Sequence, residues 1–565
     1  MPLAPTTLAE ESPGKSKPSE LAPLKLLLYG LLIGTSLYAL NHIGVMSGAT
    51  HTPPGYVALY TYQDFDMTQY LTWIEQAKHG IISPDFHAAW LTGKCQFMPF
   101  MYGIHLVSTL LHVGPIAAFN LVDFVLYPIA AMGLLLAATT FLSSGRERKL
   151  FILVMMCAVP LRLYLSLPSL VYPALKHAIS TGLFIAWISG DGLLLEAPSP
   201  TITFGTATVL FSAWALGRYA LTKDQKYLWY CSFISAASAF LHPFEIFLIA
   251  PATAIVVLYV QRADLRKGAL QLFRYAILPG LAILPYVLVS LQNETAADLA
   301  RRNSGQHPYS PLYGLQLFGI AVPIALLSFY KAREHRRTSD IVLQALLVLP
   351  TVLLFTPRVP FPFHAFDGAL YTASLLATRQ FTRFRLMSPI WRDRNVAAAL
   401  AACLVLAVPG WLVIYRQIYV DGRSENPERY HNSFIPADYF RLIDWFRAHA
   451  SKDELVLSPQ KLAFWLATVP MHSFASHPVM SLRFNQQKAV LNKLFEGNAG
   501  RTFLYRVIAN YGVRYIVVPD GNHLAAELSD AKRAGHVGRY TVFEISGNHM
   551  KPYSRNVVEI SANEK

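Results

Sequence analysis

The sequence is short of charge and of cysteine. Only 15% of its 565 residues are charged and 53% are hydrophobic, whereas a soluble globular chain is nearer a quarter charged. Three of the four cysteines, Cys157, Cys231 and Cys403, lie in apolar runs, and Cys95 stands alone in a loop. No CxxC pair or Cys/His metal spacing occurs, so neither a disulfide framework nor a cysteine-based metal site is indicated. The composition is that of a membrane protein.

Motifs for nucleotide chemistry are also missing. The carboxy-terminal part has no phosphate loop, no GxGxxG and no nucleophile elbow, and the chain has no internal repeat. The net charge of +14 could suggest a nucleic-acid partner. However, the basic residues cluster in short loops between apolar segments, as membrane topology would place them. No nucleic-acid partner is therefore expected.

Eleven apolar runs approach the roughly 20 residues that a membrane span needs. They are 24–43, 116–142, 150–166, 203–221, 228–241, 244–260, 270–291, 312–330, 340–356, 365–378 and 396–419. The first run has no small-residue cleavage signal, so it is interpreted as a retained span. The polar residues 1–23 before it are expected to form a disordered cytoplasmic tail.

The loop charges predict the orientation. With the amino terminus in the cytoplasm, the inner loops carry eighteen Lys and Arg residues and the outer loops carry six, which follows the positive-inside rule. The apolar stretches 170–189 and 98–112 are assigned to outer loops, because a crossing at 170–189 would turn most later basic loops outward. The odd number of spans then places residues 421–565 outside the cytoplasm.

The predicted fold is a polytopic α-helical membrane protein with a small extracytoplasmic α/β domain. The membrane domain covers 24–420, with long outer loops at 44–115 and 167–202, and the α/β domain covers 421–565. In this last domain, helical spacing is found at 436–450, 486–496 and 501–511, and short buried strands at 454–458 and 514–519.

An Asp-x-Asp pair, Asp64 and Asp66, opens an amphipathic stretch in the first outer loop. Apolar residues across 67–77 follow helical spacing. Asp66 stands three residues before Gln69, which fits a capping box, and such a cap is worth about 1 kcal/mol. We therefore expect Asp66 to cap the helix, which would also hold its carboxylate in place. Asp64 has no comparable structural role.

This order of features resembles the GT-C superfamily of polyprenyl-phosphate-sugar-dependent glycosyltransferases, which includes bacterial relatives of protein mannosyltransferases. The matching stretches are DMTQYLTWIEQAKHG (66–80), QFMPFMYGIHLVSTLLHVG (96–114), HPFE (242–245) and TPRVPFPFHAFDG (356–368). The resemblance implies a first span, a long outer loop with an essential acidic residue, many further spans and an extracytoplasmic domain. The WWDYG-type motif of the oligosaccharyltransferase branch is absent from the tail, which weighs against that branch.

The resemblance also implies roles for particular residues. By position, Asp66 matches the family's loop carboxylate, with Asp64 beside it, and would take a proton from an acceptor hydroxyl. Arg358, and after it Arg162, would hold the lipid phosphate, because the guanidinium fork suits phosphate. Further candidates are His242 and Glu245 for donor binding, and Asp191 and Glu196 as acidic groups of the second outer loop.

Position along the spans gives a second argument for the same site. Arg162, His242, Glu245, Arg358, His364 and Asp367 all stand near the outer ends of predicted spans. Charged groups at that depth are costly and usually face a polar cavity. Structural alternatives remain for two of them: Arg358 could reach lipid headgroups or pair with Asp367, and His242 could be a turn residue paired with Glu245.

The implied reaction moves a sugar from a polyprenyl-phosphate donor to a lipid, glycan or protein acceptor at the outer face of a bacterial inner membrane. No cofactor is required, although Asp64 and Asp66 could bind a divalent ion such as Mg²⁺ or Mn²⁺. Two other functions stay open, a transporter or flippase for lipid-linked saccharides and a non-catalytic assembly protein. A transporter should show paired broken helices or inverted repeats, and neither is evident in the sequence.

Overall fold

The computed structural model describes most of the chain. The described residues are 22–50, 52–58, 64–81, 97–158, 199–292, 321–329, 337–354, 356, 364, 366–387, 394–406, 408, 434–451, 454–469, 471–475, 484–497 and 499–546. Residues 1–21 of the predicted tail at 1–23 and the apolar stretch 170–189 lie outside these residues, and α1 begins at Pro23.

Helices make up the first three quarters of the described chain. They are α1 Pro23–Ala49, α2 Asp64–Ala77, α3 Pro99–Leu110, α4 Pro115–Phe141, α5 Gly145–Cys157, α6 Pro200–Thr222, α7 Gln225–Leu241, α8 Ile246–Val260, α9 Leu265–Gln292, α10 Ala321–Leu326, α11 Asp340–Leu354, α12 Ala369–Met387 and α13 Arg394–Leu406. Proline occupies the first turn of α3, α4 and α6, where its missing N–H costs nothing and its fixed φ favours a helix start.

Three of these helices, at Pro23–His42, Pro115–Phe141 and Leu265–Gln292, are long and apolar enough to cross a membrane. Only 11% of the apolar window of α9 is buried inside the protein. Leu270, Phe273 and Leu281 are each at least half exposed. Apolar surface of this length and continuity fits a lipid environment, so the chain is a membrane protein. The predicted number of eleven spans is not established by these helices.

Helix α6 is at the centre of the helical bundle. It is buried along nearly its whole length and packs against α4 and α7. Helix α1 packs on the other side of α4, where Gly34 lies so close to Pro128 that an added Cβ would come within 2.3 Å of the proline nitrogen. Small residues at such a contact allow two membrane helices to approach closely.

A buried ion-pair network joins α5, α11 and α12. The Arg379 guanidinium donates to Glu147 at 3.1 Å and lies 3.4 Å from Asp340, and Arg383 also pairs with Asp340. All four side chains are buried. The loop charges predict that the loops beside these groups are cytoplasmic, and the structure brings the four side chains together.

The carboxy-terminal part is built on a five-stranded mixed sheet. Its strands are β3 Leu455–Leu457, β4 His472–Ser473, β5 Val513–Pro519, β6 Lys532–Val537 and β7 Tyr540–Glu544, in the order β4-β3-β5-β7-β6. The pairs β3–β4 and β3–β5 are parallel, and β5–β7 and β6–β7 are antiparallel. The helices of this part are α14 Ala437–His449, α15 Gln460–Leu466, α16 Phe484–Phe495, α17 Arg501–Tyr511 and α18 Leu524–Glu527.

Both faces of this sheet are covered by apolar side chains. Along β5, Ile516 and Val518 join one apolar core while Tyr515 and Val517 join another, because successive side chains of a strand point to opposite faces. The predicted helices at 436–450, 486–496 and 501–511 and the two predicted strands are confirmed within a few residues. The strands β4, β6 and β7 were not predicted. The domain boundary at 421 stays a prediction.

The first outer loop is attached to the carboxy-terminal part. Its strand β1, Tyr56–Ala58, pairs antiparallel with β2, Phe434–Pro436. On α2, the Thr72 hydroxyl lies 2.7 Å from the Thr68 carbonyl of its own helix and 3.1 Å from the Ala467 carbonyl, between which its proton is shared, and Leu71 packs against the sheet's second core. The helix that carries the Asp-x-Asp pair is therefore held by residues from the other end of the chain.

Candidate functional site

Two turns with the same sequence pattern meet beside α6. One is His242-Pro-Phe-Glu245, between α7 and α8, and the other is His364-Ala-Phe-Asp367, before α12. In each turn the histidine Nδ1 hydrogen-bonds the carboxylate three residues later, at 2.7 Å for Glu245 Oε1 and 3.2 Å for Asp367 Oδ2. The predicted pairing of His242 with Glu245 is confirmed. Each turn thus contributes one histidine–carboxylate pair.

The aromatic rings bring the two turns into contact. The imidazoles of His242 and His364 lie edge to face with their centroids 4.9 Å apart. The Phe244 ring stacks on His364 at 4.8 Å and meets His242 edge-on at 4.8 Å. The phenyl ring of one turn therefore helps to orient the histidine of the other.

Two glycines make room for this arrangement. An added Cβ on Gly205 of α6 would lie 2.4 Å from Glu245 Oε1 and 2.7 Å from Asp367 Oδ2. The two carboxylates therefore converge on one point of the α6 surface, which any larger residue would fill. Gly368 has φ +74°, a left-handed conformation that favours glycine, and it leads the second turn into α12.

The four polar groups are well shielded from solvent. Glu245 is fully buried, Asp367 is 2% exposed and His242 is 7% exposed. The Ser238 hydroxyl donates a second hydrogen bond to Glu245, at 3.1 Å. A neutral imidazole keeps one nitrogen lone pair for a proton or a metal.

A second polar group lies on another side of α6. The Thr203 hydroxyl donates to Asp123 of α4 at 2.8 Å, and His42 Nε2 of α1 lies 3.5 Å from the other oxygen of that carboxylate. Asp123 and His42 are buried. Ionisable groups inside a membrane bundle are rare and commonly mark functional positions. Sequence reasoning did not single out this pair.

An apolar cluster connects the first outer loop to both polar groups. Met67 of α2, one residue after Asp66, is fully buried in a cluster with Phe100 of α3. Phe204, next to Gly205, and Leu241, next to His242, pack against the same cluster. The start of α2 therefore rests on the region from which the histidine–carboxylate pairs emerge.

The structure corrects the predicted start of the first-loop helix. Helix α2 begins at Asp64, not after Asp66, so Asp66 is the third helical residue and not the N-cap. Acidic residues in a first turn interact favourably with the helix dipole, which explains why the helix can begin at the first residue of the pair. The side chains of Asp64 and Asp66 are not described, so their predicted roles stay predictions.

Four other candidates fall outside the described residues, namely Arg162, Asp191, Glu196 and Arg358. Of the ionisable groups predicted near the outer ends of spans, the structure brings His242, Glu245, His364 and Asp367 together. Sequence reasoning missed the role of Gly205. The two turns share the pattern His-x-Phe-acid, and this pattern could have indicated from the sequence that they belong to one site.

The side chains of this cluster can be compared with the ligands that different metal ions prefer. Ligand atoms of His242, Glu245 and His364 all lie within 4.8 Å of one another. Two imidazoles and a carboxylate suit zinc and other first-row transition ions, whereas Mg²⁺ and Ca²⁺ favour oxygen ligands. This cluster is a different group of residues from Asp64 and Asp66, where a Mg²⁺ or Mn²⁺ site stays a prediction.

Comparison with solved structures identifies the fold. The oligosaccharyltransferase AglB from Archaeoglobus fulgidus, in complex with an inhibitory peptide and a dolichol-phosphate, superimposes with a TM-score of 0.50 at 12% identity, over 88% of this chain and 69% of that chain. The arabinofuranosyltransferase AftD from Mycobacteria superimposes with a TM-score of 0.51 at 12% identity, over 94% of this chain and 40% of that chain. No protein-family model and no curated protein matches the sequence.

Both structures are GT-C glycosyltransferases, so the resemblance inferred from sequence is confirmed at the level of the fold. At 12% identity such a likeness establishes architecture and not activity. The functional assignment must therefore rest on the site.

Proposed function

We propose that this chain is a membrane glycosyltransferase that moves a sugar from a polyprenyl-phosphate donor to an envelope lipid, glycan or protein. Its site would face the outer side of a bacterial inner membrane. The amino terminus would be cytoplasmic, about eleven helices would cross, and the carboxy-terminal α/β domain would be extracytoplasmic. This topology rests on the loop charges of the sequence.

One observation carries the proposal. In a bundle with the GT-C fold, two buried histidine–carboxylate pairs converge on Gly205, next to the apolar cluster that supports the start of α2. Buried ionisable groups in a membrane bundle are costly and mark ligand or ion pathways. A donor whose phosphate is part of a lipid would reach such a site from the bilayer and would need no nucleotide pocket.

The proposed roles follow from charge. Glu245 and Asp367 are carboxylates, so they repel a phosphate that approaches without a cation, and direct phosphate binding is assigned to Arg358 and Arg162. Asp66 would take the proton from the acceptor hydroxyl as the hydroxyl attacks the anomeric carbon and the lipid phosphate leaves. A well-placed general base contributes about 10²–10⁴-fold in rate.

The experiment compares cells that have the protein with cells that lack it. Mass spectrometry of extracted lipids and of envelope glycans should show a polyprenyl-phosphate sugar that accumulates, and a glycan that loses one sugar, when the protein is absent. The Asp66→Asn variant should reproduce the deletion, because asparagine keeps the first-turn geometry but cannot act as a base at neutral pH. Glu75→Gln is the matched control, since Glu75 is a carboxylate of the same helix whose partly exposed side chain pairs with Lys78 and with Arg447.

Two results would contradict the proposal. Unchanged lipid and glycan profiles in the deletion would remove the glycosyltransferase function altogether. A lipid-linked saccharide that accumulates only on the cytoplasmic face, with no change in sugar transfer by purified protein, would instead indicate a flippase. If Asp66→Asn and Glu75→Gln behave alike while the deletion has an effect, the enzyme stands and the base is another residue.

A further inference from the structure

We infer that His242, Glu245 and His364 form a binding site for a divalent transition-metal ion, with Zn²⁺ the ion best suited to it. The ligand atoms of the three residues lie within 4.8 Å of one another. Zinc binds imidazole and carboxylate ligands at about 2.0–2.2 Å. Tetrahedral donors at that distance are about 3.3 Å apart, so side-chain rotations would close the site without a shift of the helices.

The groups around the three ligands match those that support metal sites. Metal-bound histidines usually donate their other ring N–H to a carboxylate, which fixes ring orientation and raises basicity. Asp367 accepts such a bond from Nδ1 of His364 at 3.2 Å. The Ser238 hydroxyl holds the other ligand carboxylate, Glu245, at 3.1 Å.

Steric space and charge support the same inference. Glu245 is fully buried, and among the described residues no lysine or arginine pairs with it. The Asp367 carboxylate converges on the same point above Gly205. Two carboxylates buried close together are stabilised by a cation between or beside them. Glycine on α6 leaves the volume in which the carboxylates and an ion can be accommodated.

Three protein ligands leave a fourth position on the ion, as catalytic zinc sites do. If the proposed function holds, that position would accept a phosphate oxygen of the lipid donor, and the ion would offset the repulsion by the carboxylates. The metal site itself does not depend on that function. The experiment that tests the metal site therefore measures metal binding and not sugar transfer.

The experiment uses untagged full-length protein in detergent, treated with a chelator and then titrated with Zn²⁺. Elemental analysis after desalting should show one equivalent bound, and Co²⁺ should give the visible absorption of a tetrahedral site. Glu245→Gln and His364→Asn should abolish stoichiometric binding. Asp367→Asn, which removes only the supporting carboxylate, should weaken binding about 10–100-fold. His536→Asn, at an exposed histidine of the carboxy-terminal part, should leave it unchanged.

Gly205→Ala gives an independent test that removes no ligand. The new methyl would displace both carboxylates and should weaken Zn²⁺ binding, whereas Gly103→Ala, where a Cβ meets nothing within 4 Å, should not. The inference is overturned if folded wild-type protein binds no more Zn²⁺ than the Glu245→Gln variant, or if stoichiometric binding persists when either Glu245 or His364 is replaced. Zinc binding by a protein that transfers no sugar would contradict the proposed function and would still support this metal site.

Discussion

Replacement of Arg379 by methionine should destabilise the protein strongly. In the folded state its guanidinium contacts Glu147 at 3.1 Å and Asp340 at 3.4 Å, and all three side chains are buried. Asp340 keeps Arg383 as a partner, but within the described part of the chain Glu147 keeps only the hydrogen bonds from Ser143 and Ser144. The variant therefore leaves one buried carboxylate without its cation.

The expected loss follows from that unpaired charge. Removal of one partner of a buried ion pair typically costs about 3–5 kcal/mol, because the remaining charge stays desolvated. A surface pair is worth about 1 kcal/mol or less. Arg447→Met is the matched control, since Arg447 is 42% exposed and pairs with Asp444 at 3.1 Å. Equilibrium unfolding in mixed detergent micelles, followed by tryptophan fluorescence, measures both variants.

A double variant tests the stated cause. Glu147→Gln added to Arg379→Met neutralises the stranded carboxylate, so it should recover a substantial part of the lost stability, and the coupling between the two sites should exceed about 1 kcal/mol. The reasoning is refuted if Arg379→Met costs no more than Arg447→Met. It is also refuted if the second substitution adds to the loss, because the network would then act through packing and not through charge.

Three further predictions concern the site and the carboxy-terminal part. Gly205→Ala should cost about 1–3 kcal/mol through overpacking and lower sugar transfer, measured against Gly103→Ala, although no ionisable group is removed. Thr72→Val should cost about 1 kcal/mol and make the first outer loop more susceptible to limited proteolysis, because its hydroxyl bond to the carboxy-terminal part is lost; equal cleavage rates would contradict this. The hydrogen bond from Lys532 lowers the pKa of Glu544 below its ordinary 4.5, so its stabilising contribution is present above pH 4.5 and lost as the pH falls through the lowered pKa. The melting temperature of Glu544→Gln should therefore fall less than that of the wild type between about pH 5 and pH 3.

Apolar runs predicted several of the helices because a long apolar segment in a membrane has few alternatives to a helix. The runs 203–221 and 270–291 correspond to Pro200–Thr222 and Leu265–Gln292, and a spanning segment must satisfy its backbone hydrogen bonds within itself. The ends of these helices were less accurate, since polar residues at a helix end can belong either to the last turn or to the loop. The Asp64–Asp66 pair shows the same effect, because the helix incorporates both residues of the pair.

Contacts between distant segments were not predictable from one sequence. Nothing in the sequences of β1 and β2 indicates that these two strands pair. Each has only three residues, and most of the chain separates them. The hairpin of β6 and β7 was missed because both strands carry charged and polar residues on their exposed side. The histidine–carboxylate pairs were visible locally as three-residue spacings, but their convergence depends on how α6 packs and on Gly205.

The attachment of the first outer loop at two places has a consequence for the site. Strand β1 ends at Ala58 and α2 begins at Asp64, and the six Cα–Cα steps between these two residues can span at most about 3.4 Å each, so the start of α2 lies within roughly 20 Å of the β1–β2 pair. Farther along, Thr72 ties α2 to Ala467, and Met67 anchors it on the apolar cluster beside Gly205. The carboxy-terminal part therefore helps to fix the position of α2, the helix in which Asp64 and Asp66 lie.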